Sequence, residues 1–295
     1  MDTHRRLRTP ALFLLLLLVV DAAAVAEAKL KQLSHPTTAA GVLRVFFHDC
    51  FVSGCDASVL VAPSSFARSE RDATQSRSLP GDAFEAVTRA KTALELECPG
   101  VVACADVLAI AAPPDAELPL ANSTVARLIA MFAAKGFTAQ ELVALSGAHT
   151  LGFAHCSEFA DLIFRRTKGG GAAAPPHDPT MNPSYAKGLQ DACRNYQRDP
   201  TIAVFNDVMT PGKFDNMYFV NLQRGLGLLS TDQALWTDPR TRPIVQRYAA
   251  NQTAFFADFA RTIVKLGVQG VRMGRDGEVR RRCDMFNGNP APLGP

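Results

Sequence analysis

Residues 44–60 read RVFFHDCFVSGCDASVL, with an arginine, a histidine, two aspartates and two cysteines set among phenylalanine and valine. Charged and apolar groups must therefore share one local site. Arg44 and His48 are four residues apart, which on a helix places them on one face. A base and a fixed cation then point into one apolar pocket. Such a pair can take a proton from a substrate and stabilise the negative charge that develops as a bond breaks. The plainer reading makes His48 a core residue beside two phenylalanines. Asp49, Asp56 and Ser58 pose a parallel choice. Either Cys50 and Cys55 close a small disulfide loop and the aspartates are solvated, or the side-chain oxygens and intervening carbonyls wrap a hard cation. Calcium, with its roughly six to eight oxygens, is the candidate, although no EF-hand pattern is present.

A second histidine stands out in LVALSGAHTLGFAHC, residues 142–156. Thr138-Ala-Gln-Glu141 is a capping box in front of Leu142, Val143 and Leu145. The helix it opens is interrupted at Ser146 and Gly147, and His149 follows among small and apolar residues. His155 lies six positions further, on a different helical face, so the two histidines do not chelate one metal.

Helical periods position these groups. Phe84, Val87 and Leu94 share a face behind Pro80, Gly81 and Asp82; Val125, Leu128, Ile129 and Phe132 repeat behind Ser123, with Gly136 as the stop. Tyr248, Phe255, Phe256, Phe259, Ile263 and Leu266 predict one long amphipathic helix after Asp238-Pro239. Strand-like alternation is scarce, no internal repeat is evident, and KGGGAAAPPHDPT (168–180) reads as an exposed loop. The fold class is mainly α.

At the N-terminus His4, Arg5, Arg6 and Arg8 precede the apolar run ALFLLLLLVV (11–20) and small residues with A-x-A spacing up to Ala28. Residues 1–28 form a secretory signal peptide. A membrane anchor is the competing reading, but the run ends at Asp21, short of the ~20 residues that a span needs. The net charge of +3 is unaltered by removing the leader, which carries as many basic as acidic residues. It is too mild to argue for nucleic acid, and the longest basic run is Arg280 to Arg282. In a secreted chain the 7 cysteines read as disulfides. Seven is odd, so one thiol is free, or its partner is missing or on another chain. Asn122-Ser-Thr and Asn251-Gln-Thr are glycosylation sequons, whereas Asn182-Pro-Ser is blocked by its proline.

Taken together, VLRVFFHDCFVSGCDASVL, CPGVVACADVLAIAA, LVALSGAHTLGFAHC, FNDVMTPGKFDNMYFVNL, GLLSTDQAL and GEVRRRCDMFNG resemble the plant secretory (class III) haem peroxidases over nearly all of the mature chain. The resemblance implies a two-lobed helical fold with one haem b between distal and proximal halves, spanning residues 29–295. It implies that His149 is the axial iron ligand and that Asp232, in STDQ, accepts the other ring N–H of that histidine. On the opposite face His48 would move the peroxide proton, Arg44 would stabilise the charge, and Phe47 would wall the pocket. Pro119, in ELPLAN, matches a proline at the mouth used by aromatic donors. Two calcium ions are implied. The distal one is held by Asp49, Asp56 and Ser58 with carbonyls of Val52 and Gly54, and the proximal one by Thr150, Asp207, Thr210 and Asp215 with a carbonyl near Lys213. The implied disulfides are Cys50–Cys55, Cys104–Cys283 and Cys156–Cys193, leaving Cys98 unpaired in a monomer. Hydrogen peroxide and small phenols are the implied partners, with no nucleic acid and no membrane anchor. The implied location is secreted, with cell wall and vacuole both open.

The chain departs from the family pattern at three places. The long N-terminal helix and its cysteine are absent, since Lys29-Leu30 runs almost directly into KQLSHPTTAAGVLR. A segment before AAPPDAELPL is missing, and with it the arginine expected to partner a buried Asp106. Ser76 replaces the asparagine that orients the distal histidine; its hydroxyl is expected to accept the same N–H with a poorer fit. These departures keep a second reading open, a shortened and inactive calcium-binding relative that holds haem poorly. A third is a protein joined to a partner through Cys98.

Overall fold

A computed structural model describes residues 36–63, 69–73, 76–108, 118–164, 177–270 and 277–288. The signal segment, most of the loop at 168–180, and the side chains of Val52 and Asp106 lie outside the described residues. Helix α1 (Pro36–Ser53) carries the RVFFHDCF stretch, and its proline at the first position loses no hydrogen bond there. It buries Val45, Phe46, Cys50 and Phe51 and packs on α2 (Gly81–Glu97). Helix α3 (Cys104–Leu108) follows.

Helix α4 (Val125–Ala134) is capped by the hydroxyl of Thr124, which accepts the Arg127 N–H at 3.3 Å, one residue after the Ser123 expected from the sequence. In α5 (Ala139–Ser146) the capping box forms as the spacing predicts. Thr138 Oγ1 accepts the Glu141 N–H at 3.2 Å, and Glu141 accepts the Thr138 N–H at 2.8 Å. Shorter helices α6 (Ala160–Ile163), α7 (Pro183–Ala192), α8 (Met217–Gln223) and α9 (Ser230–Thr237) come next. The only strands among the described residues are β1 (Phe153–His155) and β2 (Ala203–Phe205), an antiparallel pair with Phe153 opposite Phe205.

The single long helix predicted from Tyr248 to Leu266 is two helices, α10 (Arg242–Ala250) and α11 (Gln252–Gly267). Asn251 between them is extended, and its side-chain oxygen accepts the Ala254 N–H at 3.0 Å. Asparagine competes with the helix for backbone N–H groups in this way. The apolar period runs through the break because Tyr248 and Phe255 both bury fully in one core, which disguises the interruption in the sequence.

In that core α5 packs against α11, and an aromatic cluster of Phe214, Phe219, Tyr248, Phe255 and Phe259 joins α8, α10 and α11. Lys265 on α11 bonds Glu141 at 2.8 Å and ties the two helices at their polar edge. A smaller core gathers Phe159, Ile163, Met181, Leu189 and Leu228 around the Cys156–Cys193 bridge. The other two disulfides join Cys50 to Cys55 and Cys104 to Cys283, and Cys98 is the free thiol. Among the described residues no single helix is long and apolar enough to cross a membrane.

Gly147 ends α5 where the chain meets the aromatic cluster. A Cβ there would stand 2.4 Å from the Phe255 ring and 2.9 Å from that of Phe219. Its φ of −60° is ordinary, so space alone requires glycine. Gly147→Ala is expected to cost about 1–3 kcal/mol through overpacking, read as a lower urea midpoint at unchanged m. An unchanged midpoint would mean that the aromatic cluster is loose enough to yield.

Candidate active site and cation sites

After Gly147 the chain tightens into a 3-10 turn, Gly147–Thr150, that presents His149. Its Nδ1 lies 2.8 Å from Asp232 Oδ1. Asp232 is buried near the start of α9, where its Oδ2 accepts the Leu229 N–H at 3.2 Å and so caps the helix. About 40 % of the His149 side chain stays accessible. Burial alone would lower the His149 pKa, but the Asp232 charge and hydrogen bond outweigh it and raise the pKa above the ordinary histidine value, with Arg44 opposing.

Tyr218 is not singled out by sequence reasoning, although it lies inside the FDNMYFVNL motif. This fully enclosed tyrosine on α8 donates its hydroxyl to the same Asp232 Oδ1 at 2.9 Å. Burial above all, and then the adjacent carboxylate, raise its pKa well above 10, so it remains a donor.

On α1, His48 is half-buried, and its pKa is lowered to about 3 by burial first and by the charge of Arg44 second. Arg44 shares α1 with His48, and its charge also opposes the raised pKa of His149 in the 3-10 turn. Phe47 stacks on Phe51 with centroids 4.9 Å apart. Arg44 itself is held by Ser78, donating to its carbonyl at 2.9 Å and its hydroxyl at 2.7 Å, an anchor the sequence did not suggest. The expected Ser76–His48 bond is absent. Ser76 is buried, yet His48 Nδ1 has no hydrogen-bond partner among the described residues; a serine hydroxyl reaches one bond less far than the asparagine amide that the resemblance implies here. His155 sits on β1 paired with Ala203, apart from this group.

Half-buried Pro119 belongs to a segment pinned to α9, where Ser230 Oγ and the Thr231 N–H both donate to the Ala121 carbonyl, at 2.7 and 3.2 Å. Pro119 and the start of the helix bearing Asp232 are thus tied together.

The distal loop folds tightly after α1. Gly54 has φ +113°, and a Cβ there would meet Gly270 Cα at 2.6 Å, which only glycine avoids. Cys55 N–H donates to the Gln269 carbonyl at 2.7 Å. Asp49 is fully buried, Asp56 Oδ1 accepts the Ser58 N–H at 3.0 Å, and Ser58 Oγ donates to Glu70 at 2.8 Å. Burial raises Glu70 to about 7, with the Ser58 bond opposing and the Asp56 charge reinforcing. Arg280, read in the sequence only as part of a basic run, is buried and donates to the carbonyls of Asp56 at 2.7 Å and Cys283 at 3.2 Å. It anchors this loop from the C-terminal end of the chain.

The proximal oxygens converge more closely. Thr150 Oγ1 lies 3.3 Å from both Asp207 Oδ2 and the Lys213 carbonyl, and Thr210 Oγ1 is 3.3 Å from Asp207 and 3.1 Å from Asp215. Both aspartates are buried, and the only ion pair they form among the described residues is Asp215 with the exposed Lys213. Asn221 Nδ2 donates to Asp207 at 2.8 Å, while its Oδ1 is buried with no hydrogen-bond partner among the described residues. No set of three or more His, Cys, Asp or Glu side chains with metal-holding geometry occurs among the described residues, so a cation here would rely on hydroxyl and carbonyl oxygens as well as two carboxylates. That mix is the one calcium takes.

A peroxidase family model matches residues 22–116 and 112–251. The two stretches meet within AAPPDAELPL, where the sequence departs from the family pattern. The chain is 53 % identical over 284 residues to Peroxidase 41 of Arabidopsis thaliana, covering 87 % of this chain and 84 % of that protein. It is 54 % identical to Peroxidase 65 of the same plant, over 87 % and 82 %, and 48 % identical to Peroxidase 31, over 87 % and 86 %.

Proposed function

The chain belongs to the plant secretory branch of the peroxidase family and is a peroxidase, and on that premise we propose how its residues divide the work. Haem, when bound, supplies the iron at which peroxide is cleaved and the oxidising equivalents then drawn off by donors. His149 holds the iron through the nitrogen left by its bond to Asp232, and Asp232 strengthens it as a donor. His48 is the base that takes the proton of hydrogen peroxide and returns it to the departing oxygen. Its low pKa keeps the ring neutral and able to accept. Arg44 balances the charge that builds as the O–O bond opens, and Phe47 keeps the pocket apolar. Small phenols, giving up single electrons, approach past Pro119.

The carrying observation is that His149 is locked to a buried carboxylate at 2.8 Å while Arg44 and His48 lie about one turn apart on α1. These residues fit a haem held through His149, whose Nδ1 is taken by Asp232, with His48 and Arg44 serving the peroxide. They also fit two calcium ions, one at Asp49, Val52, Gly54, Asp56 and Ser58 and one at Thr150, Asp207, Thr210 and Asp215, each steadying one histidine-bearing element. The reading includes one haem per chain, secretion of a monomer after loss of residues 1–28, and a single domain over 29–295. The inactive-relative reading is not favoured, because relatives matched over more than four fifths of the chain are themselves peroxidases.

The test is an absorption spectrum of the mature chain refolded with haem and calcium, before and after hydrogen peroxide. A sharp haem band that shifts with peroxide and returns with a phenol is expected. A broad free-haem spectrum that does not shift would restore the inactive reading.

A further inference from the structure

Asp232 Oδ1 carries two donors. His149 Nδ1 is 2.8 Å away and Tyr218 Oη 2.9 Å away, and the tyrosine ring stands edge-on to the imidazole with centroids 6.2 Å apart. The other carboxylate oxygen is engaged by the Leu229 N–H. No lysine or arginine among the described residues forms an ion pair with Asp232; its ionic partner there is His149 alone. The negative charge is thus divided between an imidazole and a phenol, with Asp232 and Tyr218 both buried. We propose that Tyr218 is a positioning residue that competes with His149 for Asp232 and thereby sets how electron-rich the axial ligand is.

The physical reason is the sharing of one acceptor. A hydroxyl bonded to a carboxylate makes a strong, charge-assisted bond. Two donors on the same oxygen each draw density from it, so each holds the carboxylate less firmly than it would alone. With the phenol in place, Asp232 pulls less on the Nδ1 proton of His149. Without it, the carboxylate turns its full charge on that proton, the ring gains imidazolate character, and iron bound at the far nitrogen is stabilised in its more oxidised form. Donors to a ligand's partner tune metal sites in this way. A purely structural tyrosine would satisfy its own hydroxyl and leave the ligand unaffected.

The inference rests on His149 being the iron ligand, and the experiment separates the two. Tyr218→Phe keeps the ring and its packing and removes only the hydroxyl. In the holoprotein, resonance Raman should place the ferrous iron–histidine stretch at a higher wavenumber than in the unmodified chain. Reduction of the ferric protein should become about tenfold less favourable, ~59 mV more negative for a one-electron couple. In an Asp232→Asn background the same substitution should move neither quantity. Tyr218→3-fluorotyrosine, a stronger donor of unaltered shape, should move both the opposite way, and it serves as the test if Tyr218→Phe fails to take up haem.

An unmodified protein with no iron–histidine stretch would overturn the ligand assignment itself. A normal stretch that stays put in both tyrosine variants would overturn the role of Tyr218 alone. So would an equal shift in the Asp232→Asn background, since the tyrosine would then act by a route other than the carboxylate.

Discussion

Replacing His48 by leucine is expected to lower the rate of reaction with hydrogen peroxide by about 10²- to 10⁴-fold, the range that a positioned acid–base group contributes. Haem uptake should be unchanged, because the iron is held from the other side. The structure gives two reasons to set aside the plain reading of His48 as a core residue. Its Nδ1 is buried with no hydrogen-bond partner among the described residues, an arrangement that costs stability and that packing alone would not favour. Arg44 stands near enough to help depress its pKa to about 3, and a cation beside an apolar histidine adds nothing to a core. A leucine at this position relieves the unsatisfied nitrogen, so the variant should be at least as stable as the parent. Stopped-flow rates with peroxide and a urea melt measured together separate the readings. Loss of rate with equal or higher stability identifies the proton acceptor. An unaltered rate would mean that Arg44 works without a base.

The grouping of these residues was legible in the sequence to different degrees, for physical reasons. The capping box at Thr138 and Glu141 is local, so four consecutive residues specify it, and it formed as read. The pairing of Arg44 with His48 is likewise local to one helix. The break at Asn251 was hidden because burial period and backbone continuity are independent, and only the first leaves a trace in composition. Ser78, Tyr218 and Arg280 were missed for another reason. Each acts through a contact distant in sequence: Ser78 lies 34 residues from Arg44, Tyr218 14 from Asp232, and Arg280 224 from Asp56. Nothing in the spacing of a serine, a tyrosine or one arginine of three announces such partners. For Ser76 the expected bond does not form among the described residues, since such a bond depends on how closely two separate segments approach, which spacing along the chain does not state.

Asp207→Ala is expected to destabilise the protein by about 3–5 kcal/mol, as loss of one member of a buried polar network does. For a domain near 250 residues that corresponds to a melting point lower by roughly 10 °C. Asp207 Oδ1 accepts from the Met209 N–H, the Thr210 N–H and Asn221 Nδ2 at 2.8 to 3.0 Å, and Oδ2 from the hydroxyls of Thr150 and Thr210 at 3.3 Å. Alanine leaves those donors unsatisfied in a buried setting. Thr150 directly follows His149 in one 3-10 turn, so the damage should pass to the ligand and weaken haem retention. Calcium distinguishes a cation site from a hydrogen-bond hub. If a bound ion sits among Asp207, Asp215, Thr150 and Thr210, added calcium raises the melting point of the parent by RT ln(1 + [L]/Kd), and this increment shrinks in Asp207→Ala because one site is lost. The distal loop, anchored separately by Arg280, keeps its own share of the response. An equal calcium increment in parent and variant would show that Asp207 serves only as a hub, with the proximal turn held by hydrogen bonds and no ion. An increment confined to the parent would make the turn bearing His149 dependent on calcium, so that a chelator should release haem from the parent by the same route that the substitution opens.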